Sequence, residues 1–214
     1  MNNTRRTVEK FIDQDAAIKR DLKRDIINKR ALARYIKKKL NITKSIDAVI
    51  SAIRRYPLDE VEIKDKSFPR DFKLSMKNEI FDLSLSNNPS VHERLSKLPQ
   101  LIDFSRGETL RIIVGVQSIK VIGDERNLKK INKKFKNENI LNQKTNLSEI
   151  TLTFPKDADE RTGIVSRVTN ELTLNDINLA EIMSSAPELI IVIKEKDSIK
   201  AYKSLTQMKK EELN

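Results

Sequence analysis

The residues whose types and spacing suit ligand chemistry gather late in the chain, at 156–163, where Asp157, Asp159 and Glu160 precede Thr162 and Gly163 and an apolar-periodic stretch opens at Ile164. A helix start presents unpaired backbone N–H groups and a positive dipole end, which suits a carboxylate, and glycine lets a ligand approach the backbone closely. The acidic side chains would meet an ammonium group, although they also repel a carboxylate set too near. An acidic first turn equally serves the helix dipole alone, with Gly163 needed only for packing, so both readings stand.

A second concentration is basic. Lys37, Lys38 and Lys39 close one apolar-periodic stretch, Lys44 opens the following turn, and Arg54 and Arg55 close the next stretch. Residues 1–57 hold 16 Lys and Arg against 6 Asp and Glu, an excess of ten, and the rest of the chain is nearly balanced at 26 against 25. A positive field concentrated in one quarter of a chain attracts polyanions, nucleic acid first. Cations at helix ends also complement the dipole, and a basic helix face can be a solvated surface and nothing more. Were the third helix to enter a major groove, Lys44, Ser45, Asp47, Ala48 and Ser51 would face the bases. Few of these are long base readers, so phosphate contacts and steep salt dependence would dominate.

What is missing narrows the chemistry. The chain has no cysteine and a single histidine, His92, so thiol nucleophiles, disulfides and cysteine zinc sites are excluded, little is left for a histidine metal centre or general base, and no cofactor or catalytic constellation is expected. No apolar run approaches the roughly 20 residues of a bilayer span, and the first residues lack a secretory signal, which points to the cytoplasm and away from membranes. With 38% apolar and 34% charged residues over 214 positions, small two-layer domains are expected.

The elements that must position these residues follow from periodicity. A helix is expected over 8–25 with Thr7 as its cap and Val8, Phe11, Ile12, Ala16, Ile18, Leu22 and Ile26 on its stripe. Asn28 caps a second helix carrying Leu32, Tyr35, Ile36 and Leu40, which ends near Asn41, and Ser45 caps a third that stops at Pro57. Residues 58–72 read as a linker with one short strand at 61–63. Then 73–145 reads as strand, helix, strand, strand, helix, with TLRIIVGV a buried strand and a short closing strand at 139–143, and 146–214 repeats the order without its final strand. That gap leaves an apolar edge at 189–193 to be covered by a strand of the first unit or by another subunit, and a homodimer or higher homo-oligomer is expected. Val165 joins Ile164, Val168 and Leu172 on the buried side of its helix, and the phenylalanines, Phe104 included, read as core. The fold class is α+β: a basic three-helix head, then tandem βαββα units with helices on one face of an antiparallel sheet.

The segment ERTGIVSRVTNELTLNDINLAEIMSSAPELIIVIKEKDSIKAYKSL resembles an ACT domain, particularly the ACT pairs of aspartate kinases, through Gly163 at the helix start, the turn Asn175–Asn178, the MSS strand end and ELIIVI. The unit before it matches by topology, with Pro89 at its helix start but Ser90 where that family prefers glycine. The resemblance implies an amino-acid effector held by Asp157, Asp159, Thr162, Gly163, Ile164 and Asn178. It does not extend to a kinase domain, for which the chain has no room. NKRALARYIKKKLN followed by SIDAVISAIRRY resembles a helix-turn-helix. The chain therefore reads as an amino-acid-responsive, non-enzymatic regulator that binds nucleic acid through its head; the alternative is an ACT-type interaction module that controls a partner enzyme without nucleic acid.

Overall fold

The computed structural model describes residues 4–58, 68–69 and 71–210, which fall into two compact units, Met1–Asp65 and Lys66–Asn214. The strand expected at 61–63 lies outside the described residues.

The first unit has four described helices, α1 (Thr4–Asp13), α2 (Ala16–Lys23), α3 (Lys29–Lys39) and α4 (Ile46–Arg54). The single helix expected over 8–25 is broken because the Asp15 carboxylate accepts from Ala17 N and Ile18 N, both at 3.0 Å, and starts a new helix. Thr7 consequently lies inside α1 and caps nothing, and Ile26, beyond the end of α2, is exposed. The Asn28 and Ser45 caps form as expected, and Asn41 takes a left-handed φ of 49° at the end of α3. Val8, Ile12, Leu22, Ile36, Val49 and Ile53 fill the core, while Tyr35 and Leu40, expected on the buried stripe, face outward.

The second unit is built on one antiparallel sheet. Its strands are β1 (Lys73–Ser86), β2 (Leu110–Val114), β3 (Ser118–Asp124), β4 (Ile140–Thr153), β5 (Leu179–Ser185) and β6 (Glu188–Lys194), in the order β2-β3-β1-β4-β6-β5. Helices α5 (Pro89–Leu95) and α6 (Glu125–Asn132) cover one end, and α7 (Ile164–Leu174) and α8 (Ser198–Lys210) cover the other. The strand expected at 139–143 is the beginning of β4, which runs on without interruption through SEITLT. The two halves interlock. β1 and β4 pair along their lengths, so residues 80–86 of β1 open the first half and 73–77 supply the last strand of the second. Each half has the same strand order, second–third–first–fourth, with the halves meeting at the Ile80–Leu147 pair.

That arrangement overturns the edge argument for a homodimer: β6 lies between β4 and β5, and Leu189–Ile193 are buried within the chain. The open edges are β2 and β5. TLRIIVGV, expected to be buried, is the half-exposed edge strand β2, with Val116 beyond it almost fully exposed. Val165 also faces out, one step off the Ile164, Val168, Leu172 stripe, and Phe104 is exposed.

Bulges decide which way the side chains point. Glu79 in β1 and Asn146 in β4 have left-handed φ of 57° and 56° beside register shifts in the β1–β4 ladder. The extra residue at Glu79 resets the alternation, so that Leu74 packs with α7 and α8 and Phe81, Leu83 and Leu85 pack with α5 and α6. Ile80, Ile122, Leu147 and Val192 cluster on the helix-free side, fully buried or nearly so. They are covered because the sheet curls. Lys120 of β3 forms an ion pair with Glu181 of β5, although four strand spacings would separate them by about 19 Å in a flat sheet. Arg111 of β2 likewise grips Glu149 of β4 with two bonds of 2.9 Å.

Candidate functional site

At the loop entering α7, Pro155 leads into a tight turn at Lys156–Glu160, and the chain reaches Gly163 with φ 90°. Nothing lies within 4 Å of the position a Cβ would take at Gly163. The glycine is therefore demanded by its left-handed backbone, not by a facing strand. It can provide no capping side chain, and the first N–H groups of α7 have no side-chain acceptor among the described residues. Thr162 is exposed beside it and Ile164 is half-buried against the core.

Asp157 is engaged. Its carboxylate accepts from Arg161 Nη2, and that hydrogen bond, opposed by partial desolvation and aided by the guanidinium charge, holds its pKa below the ordinary 3.8. Asp159 belongs to the same turn by its backbone. Asn178 is elsewhere: it precedes Leu179, which pairs with Ile193, so α7 separates it from Gly163 by about 16 Å. Thus 157–164 is one continuous stretch of chain, and Asn178 is not part of it within one chain.

The corresponding start in the first half is closed. Asn88 accepts from Val91 N at 3.0 Å and donates to Ser86 Oγ and Asn139 Oδ1, which locks the entrance to α5. His92 is exposed and bonded to Asn87 Oδ1 at 2.7 Å.

In the head, Lys37 is a brace. Its ammonium donates to Ile42 O at 2.7 Å and to Lys44 O, tying the α3–α4 turn together. Lys38, Lys39, Lys44, Arg54 and Arg55 are exposed and form no ion pair among the described residues. The reason lies in the acids: Glu9, Asp13, Asp21 and Asp25 are already paired and Asp15 caps α2, leaving only Asp47, on α4. An open cleft of about 500 Å³ between α3 and α4 adds Arg34 and Asn41, which periodicity alone did not single out, to Lys37 and Lys38. The connection from Leu40 to Ser45 is longer than the usual three- or four-residue turn of a helix-turn-helix.

No family model matches the chain, and no curated protein matches its sequence. Solved structures do match. The aspartate kinase of Clostridium acetobutylicum, described as an allosteric enzyme, aligns with 65% of this chain and 34% of its own at 17% identity and a TM-score of 0.53. The regulatory subunit of aspartate kinase from Thermus flavus aligns over 63% of this chain and 95% of its own, at 10% identity and 0.52, and a structure of aspartokinase α and β subunits over 63% and 95%, at 10% and 0.51. The sheet unit has the fold of an aspartate kinase regulatory domain. The matched part spans about a third of the Clostridium enzyme. Among the described residues no helix is long and apolar enough to cross a membrane, and no group of three or more His, Asp or Glu is placed to hold a metal ion.

Proposed function

We propose that the chain is a non-enzymatic cytoplasmic regulator whose paired ACT-type modules sense an amino acid and whose basic head binds nucleic acid. The observation that carries the sensing role is the helix start at Gly163: on a fold shared with aspartate kinase regulatory domains, one half closes its first helix with Asn88 and the other gives α7 no capping side chain among the described residues. The effector's carboxylate meets the first turn of α7 at Gly163 and Ile164, beside Thr162. Asp157, already held by Arg161, shapes the loop, and Asp159 is the residue assigned to the ammonium. A thermal-shift screen of the full chain against the twenty amino acids at millimolar concentration tests this. At least one should raise Tm, Gly163→Val should abolish the shift, and Asn178→Ala should leave it unchanged. If no amino acid raises Tm, the sensing role is lost and the interaction-module alternative takes its place.

The unpaired cations of α3 and α4 favour the nucleic-acid role for the head. Lys38→Ala with Lys39→Ala and Lys44→Ala should weaken duplex DNA binding equally for all sequences and flatten its salt dependence. Lys37 is unsuitable for this test because its loss also loosens the turn. Unchanged binding in the triple variant, or no binding by the parent at low salt, would refute it.

A further inference from the structure

The duplicated sheet permits each half to be read against the other at its bulge. In the first half the pattern is Lys77, then Glu79 with left-handed φ, then Ile80, which pairs with Asp124 at the end of β3. In the second it is Lys144, then Asn146 with left-handed φ, then Leu147, which pairs with Lys194 at the end of β6. The positions coincide, but the chemistry differs. Asp124 is buried, lies 2.8 Å from Lys77 Nζ and accepts from Thr109 N at 2.6 Å, so a carboxylate completes the first site. Lys194 stands where that carboxylate would be.

The second site is consequently short of negative charge. Lys144 has only Asp82, at 4.0 Å, and Asp82 already holds Lys120 at 3.0 Å. Lys194 and Lys196 form no ion pair among the described residues. Glu125 brings one carboxylate from the first half, which accepts from Asn146 N and sets a single negative charge beside the three lysines. Around these groups is an open cleft of about 400 Å³, lined by Lys144, Lys194 and Lys196 with Asn146 and Leu147. The stems of three exposed lysines line one cleft, and the positive charge they concentrate there attracts an anion.

We propose that this cleft binds a small carboxylate anion, which takes the place that the Asp124 side chain fills in the first half. The site is distinct from the loop at Gly163. Thr153, before that loop, and Leu147, in the cleft, lie about 20 Å apart along β4. The ligand class follows from the internal copy, where the acceptor is a carboxylate and the donor is the equivalent lysine.

The test titrates succinate, and separately inorganic phosphate, into the full isotope-labelled chain at constant ionic strength, reading the amides of Asn146, Lys194 and Lys196 and the lysine side chains by NMR. Succinate should give saturable shifts confined to the cleft. Lys194→Asp rebuilds the first half's Lys–Asp pair within the second, and should weaken succinate roughly tenfold or more, about 1.4 kcal/mol, with the folded spectrum retained. Lys196→Gln, at an exposed position, should weaken it in the same direction and guards against a local effect of the first variant. Gly163→Val should bind succinate like the parent, which separates this site from the amino-acid reading whether or not that reading survives. The proposal is overturned if succinate gives no saturable shift, if both lysine variants bind like the parent, or if phosphate saturates the cleft and succinate does not.

Discussion

The two halves of the sheet unit share strand order, a bulge and a helix layer, yet one is closed by its own side chains and the other is not. In the first half Asn88 caps α5 and Asp124 neutralises Lys77. In the second, Gly163 gives α7 no capping side chain among the described residues, and Lys194 stands at the register position that Asp124 holds in the first. A repeat acts as an internal control, because fold, register and neighbouring strands are held nearly constant while the side chains change. The teaching is that positions satisfied internally in one copy identify the chemistry that the other leaves for a ligand.

The largest expected effect concerns the contacts by which the curled sheet holds its halves together. Lys120→Met would leave the Asp82 side chain, only 1% exposed, with Lys144 at 4.0 Å as its remaining cation, and would strip Glu181 of its partner. Burial alone lowers the pKa of Lys120, but its bonds to Glu181 and Asp82 outweigh this and keep it raised, so the charged form belongs to the fold. Removing one member of such a buried group should cost about 3–5 kcal/mol, less to the extent that Lys120 is partly exposed, as read by urea unfolding. Arg111→Met should cost less, because Glu149 keeps Thr151 Oγ1 at 3.4 Å. Equal costs would mean that the two crossing contacts are equivalent.

At the bulges, Asp124→Ala removes the acceptor of both Lys77 Nζ and Thr109 N and should cost about 1–3 kcal/mol. Lys194→Ala, at the equivalent position, should stay within about 0.5 kcal/mol, because it removes no internal partner. A large loss at Lys194 would mean that its charge already serves the fold, which would erase the contrast. At the helix starts, Asn88→Ala should cost about 1 kcal/mol through the lost cap, read by thermal or urea unfolding.

Much of this was legible in the residues. The strands and helices of the second unit follow apolar periodicity, and the Asn28 and Ser45 caps are local chemistry that needs no tertiary partner. The 14-residue strands were not legible, because Asn142, Gln143, Lys144, Thr145 and Asn146 look like a loop and pair only because β1 lies alongside. For the same reason the last strand of the second half could be named only as a strand of the first unit or of another subunit, and the structure supplies it from 73–77 of β1. It precedes the first half in sequence, and no local pattern announces a pairing across some 70 residues. At the candidate sites, Gly163 stood out by type, but the occupation of Lys37 and Asp157 by their own neighbours depends on side-chain geometry. Lys194 acquires its meaning only when Asp124 is seen at the matching register.

The smallest expected effect separates the two helix entrances by pH. In the first half the entrance is braced by the amide and hydroxyl groups of Asn88, Ser86 and Asn139, whereas the loop before α7 is braced by the ion pair of Asp157 with Arg161. The Arg161 hydrogen bond depresses the folded pKa of Asp157 below 3.8, so its contribution is present above that value and is lost as pH falls through the lower folded value. Carboxyl NMR should show Asp157 titrating below 3.8, and Arg161→Gln should move its midpoint back upward. Hydrogen exchange, corrected for the intrinsic acid rate, should then show 156–163 opening below that midpoint while 86–91 keeps its protection. Both halves carry other acids, so the local comparison matters more than global acid stability. Equal loss of protection at the two entrances would show that the ion pair is a passive surface contact, and the second half would then have no loop of its own to open.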